Sequence, residues 1–156
     1  MSRQRLFEII CVVLLAAFIG IMLFQNSGSS KTAEEVFTPV TEQVDLEALK
    51  IRDNKTLVKE FSFGEEDVEN VIYISSDSVM EVRELLLVEV KSRDDVQKIS
   101  ELIKSRVESK KALFKNYAPE QSALLENYTL VKKGKFILYT VYDSPEKIVK
   151  AFKKAL

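Results

Sequence analysis

An α+β fold is predicted here: an N-terminal transmembrane helix followed by one domain with a mostly antiparallel four-stranded sheet, a ββαββα core packed with further helices. Two pairs of β-branched and aromatic runs carry that reading, "NVIYIS" with "RELLLVEVK" and the two halves of "NYTLVKKGKFILYTVY", each pair followed by a segment of helical periodicity. A dense apolar block, "LFEIICVVLLAAFIGIMLF", stands apart from them at the start of the chain. A length of 156 residues leaves room for one ordinary core and an appendage, not for two full domains.

The apolar block, Leu6 to Phe24, is 19 residues long and carries one charge, Glu8. As a helix it spans roughly 28 Å, about one hydrocarbon core. Arg3 and Arg5 precede it and "QNSGSSK" follows, so the positive-inside rule puts the N-terminus in the cytoplasm. The expected organisation is a cytoplasmic tail at 1–5, a signal anchor at 6–24, a flexible linker at 25–31 and an extracytoplasmic domain at 32–156. The location implied is the cell membrane, single-pass, with the C-terminal domain outside. The alternative is a secreted domain released by cleavage near Ser27, Gly28 and Ser29, although signal-peptide apolar regions run only about 7–15 residues. Cys11 sits early in the apolar run behind Glu8, Ile9 and Ile10, which is no lipobox, and as the single cysteine it allows no intrachain disulfide. Ala16 and Gly20 have the small-xxx-small spacing of close helix pairs, a spacing that also arises by chance in Ala-rich spans.

The domain opens with Thr32 and Glu35 at capping-box spacing, and Val36, Phe37, Val40 and Val44 then share the face of a helix that Pro39 kinks or restarts. A short helix is expected from Lys55 to Phe61, stopped at Gly64. Strands follow at Asn70–Ser75 and Arg83–Lys91. Val96, Ile99, Ile103, Val107 and Phe114 then mark a long amphipathic helix from Ser92 or Asp94 to about Tyr117, with Lys104, Arg106, Lys110 and Lys111 mostly on its solvated side. Pro119 opens a short helix after the "YAPEQ" corner, and a hairpin turns about Lys133 and Gly134. The chain closes on a helix capped by Ser144, with Pro145 first and Ile148, Val149, Phe152 and Leu156 as its buried stripe.

Histidine is absent, which removes the commonest general base, the imidazole metal ligand and any Ser-His or Cys-His pair. Zinc chemistry goes with it. Glu65, Glu66, Asp67 and Glu69 lack the glycine and distal glutamate of an EF-hand loop and read as a solvated acidic turn. Ser144 to Lys147 matches S-x-x-K, but its companion motifs are missing and a helix start explains it. No catalytic residue, metal ligand or cofactor-binding motif is therefore expected. Outside the anchor, 23 basic and 24 acidic residues become 21 and 23 once Arg3, Arg5 and Glu8 are set aside, no footprint for nucleic acid. The second and fourth strands are apolar on both faces, Leu86, Val88 and Val90 opposing Leu85 and Leu87, so helices cover both faces or one is left for a partner.

"YISSDSVMEVRELLLVEVKSRDD", "KALFKNYAPEQSALLENY" and "GKFILYTVYDSPEKIVKAF" resemble a family of domains of unknown function that occurs in small membrane-anchored proteins and lipoproteins of Gram-positive bacteria. The resemblance runs from about Thr32 to Phe152; it implies architecture and location, and no site to carry over. The functional expectation is a membrane-tethered, non-enzymatic binding domain whose partner is another envelope component, with a structural accessory of a membrane assembly as the alternative. Candidate interaction residues are Tyr117, Pro119, Glu120 and Gln121 at the corner, and Lys150, Lys153 and Lys154 in the last helix. The lysines suit anionic lipid or wall polymer, or simply complement the helix dipole.

Overall fold

The computed structural model describes Leu15 and residues 31–156. Apart from Leu15, the anchor expected at Leu6–Phe24, with Cys11, Ala16 and Gly20, lies outside the described residues, as do the tail and the linker before Lys31. Among the described residues no helix is long and apolar enough to cross a membrane. From residue 31 onward the elements are α1 (Ala33–Thr41), β1 (Lys50–Ile51), α2 (Asn54–Phe61), a 3₁₀ turn (Glu65–Asp67), β2 (Asn70–Ser75), β3 (Glu84–Glu89), α3 (Asp95–Phe114), α4 (Pro119–Glu126), β4 (Thr129–Lys133), β5 (Phe136–Val141) and α5 (Glu146–Ala155).

The class is α+β, but the sheet has five strands rather than four, all antiparallel, in the order β1-β2-β3-β5-β4. The extra strand, β1, is two residues long and pairs Lys50 with Ser75 and Ile51 with Ile74. Arg52 holds it there, donating from Nε to the Ser75 hydroxyl at 2.8 Å and from a terminal nitrogen to the Ser75 carbonyl at 3.1 Å. Two residues cannot show a period, so no sequence signal marks this edge.

Both sheet faces are closed. On one, α2, α3 and α4 cover Tyr73, Leu86, Val88, Ile137, Tyr139 and Val141 with Leu57, Phe61, Ile99, Ile103, Val107 and Leu125. On the other, α1 and α5 cover Ile74, Leu85, Leu87, Phe136 and Leu138 with Val36, Phe37, Val40, Ile148 and Phe152. Among the described residues neither sheet face is left open, and the second is closed by the C-terminal helix together with α1.

Local chemistry sets most boundaries. The Thr32 hydroxyl accepts from Glu35 N–H at 3.3 Å while the Glu35 carboxylate accepts from Thr32 N–H at 2.8 Å, the reciprocal capping box. Helix α1 runs through Pro39 to Thr41 without a restart. Helix α2 is capped by Asp53 and ends at Ser62, not Gly64; Ser62 takes the left-handed conformation at φ 61°. The β4–β5 hairpin turns on Gly134 and Lys135, with Gly134 at φ 62° and Lys135 outside the positive region, the pattern of a type II′ turn. Helix α5 starts at Glu146, one residue later than expected, and has no side-chain cap, so Ser144 does not serve as one.

Candidate functional site

Three places bear on function: a buried charge cluster under α3, the corner between α3 and α4, and the outer side of α5. Glu84, the first residue of β3, shares its face with Leu86 and Val88 and is wholly buried. Arg106 enters the same space from α3, three residues after Ile103 on the inner stripe, rather than lying on the solvated side. Its guanidinium forks onto Glu84 at 2.6 and 2.9 Å, donates to the Tyr73 hydroxyl at 3.2 Å and to Glu60 at 2.8 and 3.2 Å, and stacks 4.3 Å from the Phe61 ring centroid. Lys110, one turn further on, reaches Glu84 at 3.2 Å, and the hydroxyls of Tyr139 and Tyr73 donate to it at 2.6 and 3.0 Å.

Burial alone would drive the Glu84 carboxyl up; Arg106, then Lys110, with donors from Arg106 and Tyr139, outweigh it and hold it below the usual carboxylate range. Burial, with Glu84 beside them, pushes the Tyr73 and Tyr139 phenols up. Among the described residues no buried side-chain nitrogen or oxygen lacks a partner. The buried polar groups of the cluster are therefore all partnered, chiefly by one another. The chemistry of the cluster is structural, fixing α3 and α2 on the sheet.

At the corner, Ala118 is non-helical at φ −141°, Pro119 takes the first position of α4, and Leu125 is buried. The long helix stops at Phe114, short of Tyr117, and Tyr117 is 54% exposed, its ring leaning on that of Phe114 with centroids 5.2 Å apart. Pro119 and Glu120 are exposed. Gln121 reaches past its own helix: its side-chain oxygen accepts from Val82 N–H at 3.0 Å, tying α4 to the β2–β3 connection. The corner is a strut with an exposed tyrosine beside it.

Helix α5 presents its outer side as a row of lysines. Lys147, Lys150, Lys153 and Lys154 are exposed, and none forms an ion pair with a described residue. They flank two surface grooves. One, about 650 Å³, runs between α5 and the start of β4, lined by Thr129, Pro145, Glu146, Val149, Lys150, Lys153 and Lys154. The other, about 420 Å³, lies between α5 and α1, where Pro39, Glu42 and Gln43 face Lys147, Lys150 and Lys154. The corner residues and the lysines lie on opposite sides of the sheet, so the two candidate sets do not form one site. Sequence reasoning missed Glu84, Arg106 and the tyrosines; the signal available was an arginine on an otherwise apolar helical stripe.

The Glu65–Asp67 turn is held by the Asp67 carboxylate, which accepts from Gly64 N–H at 2.9 Å, and by the Asn54 side-chain oxygen of α2, which accepts from Glu65 N–H at 2.9 Å. Among the described residues no group of three or more His, Cys, Asp or Glu side chains is arranged to hold a metal ion.

Residues 42–142 match the model of a family described as a domain of unknown function, DUF4358, a span inside the Thr32–Phe152 of the sequence resemblance. Comparison with curated proteins and with solved structures finds no match. The matched span holds the sheet, the charge cluster and the corner, and it ends before α5.

Proposed function

The chain belongs to a family of domains of unknown function, DUF4358, and we propose that it is a membrane-tethered, extracytoplasmic, non-enzymatic binding domain whose contact surface is the outer side of α5. The observation that carries this reading is the row Lys147, Lys150, Lys153 and Lys154, exposed, without ion pairs to described residues, and set along two grooves. Four like charges on one helix repel one another, and a bound anionic surface relieves that cost. The buried cluster supports the non-enzymatic part, because its perturbed groups are consumed by one another. The tether rests on Leu6–Phe24 and the outward orientation on Arg3 and Arg5.

Two measurements on the full chain in intact cells test it. A cysteine at exposed Lys98 is expected to react with a membrane-impermeant thiol reagent; protection until lysis would place the domain inside and overturn the topology. Photo-crosslinking residues at Lys150 and Lys153 are expected to give a discrete adduct that one at Lys98 does not. Equal adducts at all three positions, or none, would remove α5 as the contact surface.

A further inference from the structure

We propose that the β4 edge of the sheet takes up an extended acidic segment of a partner protein as a sixth strand, a mode that rests on the α5 contact surface and names its ligand. Among the described residues, strand β4 ends the sheet and pairs only with β5. A two-residue turn closes the hairpin, so the facing pair Lys133 and Phe136 is hydrogen-bonded, and Val131 and Thr129 also aim their backbone groups at β5. Leu130 and Lys132 then aim N–H and C=O outward, and no backbone bond from a described residue outside the hairpin reaches either one. The opposite edge offers an acidic ligand less, since β1 is two residues long and residues 70–72 of β2 beyond it face a groove against α1 whose charged residue, among the described lining, is Glu34.

The groove of about 650 Å³ lies between α5 and this edge, and the Lys133 ammonium at the end of β4 donates to the Lys153 carbonyl of α5 at 3.5 Å. A strand added about 4.8 Å beyond β4 would point alternate side chains to the α5 side. There they meet Lys150, Lys153 and Lys154, with Glu146 as the single carboxylate among the described residues lining the groove. The other side chains fall on the side of half-buried Leu130. The ligand this edge fits is a run of about five residues alternating acidic with apolar or β-branched. The same lysines, with Lys132 and Lys133 on the edge itself, repel a second copy of β4, so pairing with another copy of this chain is disfavoured.

The test uses the full chain in zwitterionic nanodiscs and a fluorescent synthetic peptide alternating Glu with Val and Thr. Anisotropy is expected to show saturable binding that weakens as salt rises, is absent for the Lys-for-Glu peptide, and falls at least tenfold in Lys150→Glu/Lys153→Glu. Hydrogen exchange is expected to slow at the Leu130 and Lys132 amides. Lys132→Pro removes an outward donor while leaving the β4–β5 ladder, and is expected to abolish binding where Lys132→Gln does not. A peptide N-methylated at alternate residues, so that it cannot pair, covers the case in which Lys132→Pro disturbs β4. Binding that survives both blocks but not the lysine reversal would overturn strand addition and leave the α5 surface standing. Binding untouched by the lysine reversal would overturn both. No peptide binding alongside salt-sensitive attachment to phosphatidylglycerol vesicles would overturn strand addition in favour of a lipid surface.

Discussion

Replacing Arg106 with leucine removes the main counter-charge of a carboxylate that has no access to water. The Arg106 side chain is 7% exposed and Glu84 is 0% exposed, and the fork between them is the shortest ion pair in the cluster. The substitution also releases Glu60 and Tyr73 and empties the space over the Phe61 ring. Removing one partner of a buried pair costs about 3–5 kcal/mol, because the other charge remains desolvated. Lys110 stays within 3.2 Å of Glu84, which places the expectation toward the lower end of that range. Against a typical total of about 5–15 kcal/mol this is a large share, and for a domain of this size it corresponds to a fall in Tm of roughly 10–20 °C. Urea unfolding of the full chain followed by circular dichroism measures it. Glu84→Leu and the double variant complete a cycle, in which the double variant is expected to lose at least about 2 kcal/mol less than the sum of the singles. A cost below about 1 kcal/mol for Arg106→Leu, or simple additivity in the cycle, would refute the assignment of Arg106 as the compensating charge.

The pH profile follows from the same cluster. The folded pKa of Glu84 is depressed, so its contribution is complete above about pH 4.5 and is lost as pH falls further through that folded value. Glu35, Asp53, Asp77 and Glu81 are depressed too and act in the same direction. Urea midpoints are expected to fall from pH 5 to pH 3 in the native chain and to fall less in Arg106→Leu, where burial dominates and a protonated Glu84 fits better. Ser62→Gly is expected to stabilise by about 0.5–1 kcal/mol, because the left-handed end of α2 strains any residue with a Cβ; an unchanged urea midpoint would argue against that strain. Gln121→Ala is expected to cost about 1–2 kcal/mol by orphaning the Val82 N–H, while exposed Glu120→Ala changes the midpoint by less than about 0.5 kcal/mol; equal effects would refute the strut.

Much of the fold is legible from local chemistry. Asn70–Ser75 reads as a strand because four of its six residues are β-branched or aromatic, and the doubled apolar faces of β3 and β5 already demand a layer on each side. The Thr32–Glu35 cap and the Pro119 helix start are visible for the same reason: each depends on residues within one turn. What is not legible depends on partners far along the chain. Arg106 reads as a surface charge until β3 supplies Glu84 from 22 residues upstream, and β5 supplies Tyr139 from 55 residues downstream of Glu84. The long helix reads as reaching about Tyr117, but it ends at Phe114 and the Tyr117 ring stays half in water. The candidate residues follow the same division. Gln121 is visible as a polar candidate at the corner, yet its acceptor role toward Val82 needs the loop placed against α4. The lysines of α5 are visible as a basic run, while their grooves need α1 and β4 alongside.

The cluster also has a role that packing alone could not fill. The inner stripe of α3 holds Ile99, Ile103 and Val107, residues of similar size at helical spacing, and a slip of about one turn, roughly 5.4 Å, would seat aliphatic side chains almost equally well. The charges break that degeneracy. Lys110 follows Arg106 by four residues, so the slip would bring a cation to Glu84 again, but an ammonium cannot reproduce the fork, the reach to Glu60 or the stack on Phe61 together. Glu60 sits on α2, so the same arginine fixes two helices against one strand. A buried ion pair adds little net stability over a well-packed apolar substitute, yet it penalises wrong registers heavily because each leaves a desolvated charge unpaired. On this reasoning the inner face spends its polar groups on defining one structure. The outer side of α5, where four exposed lysines stand together without an ion pair to a described residue, is the surface proposed for a partner.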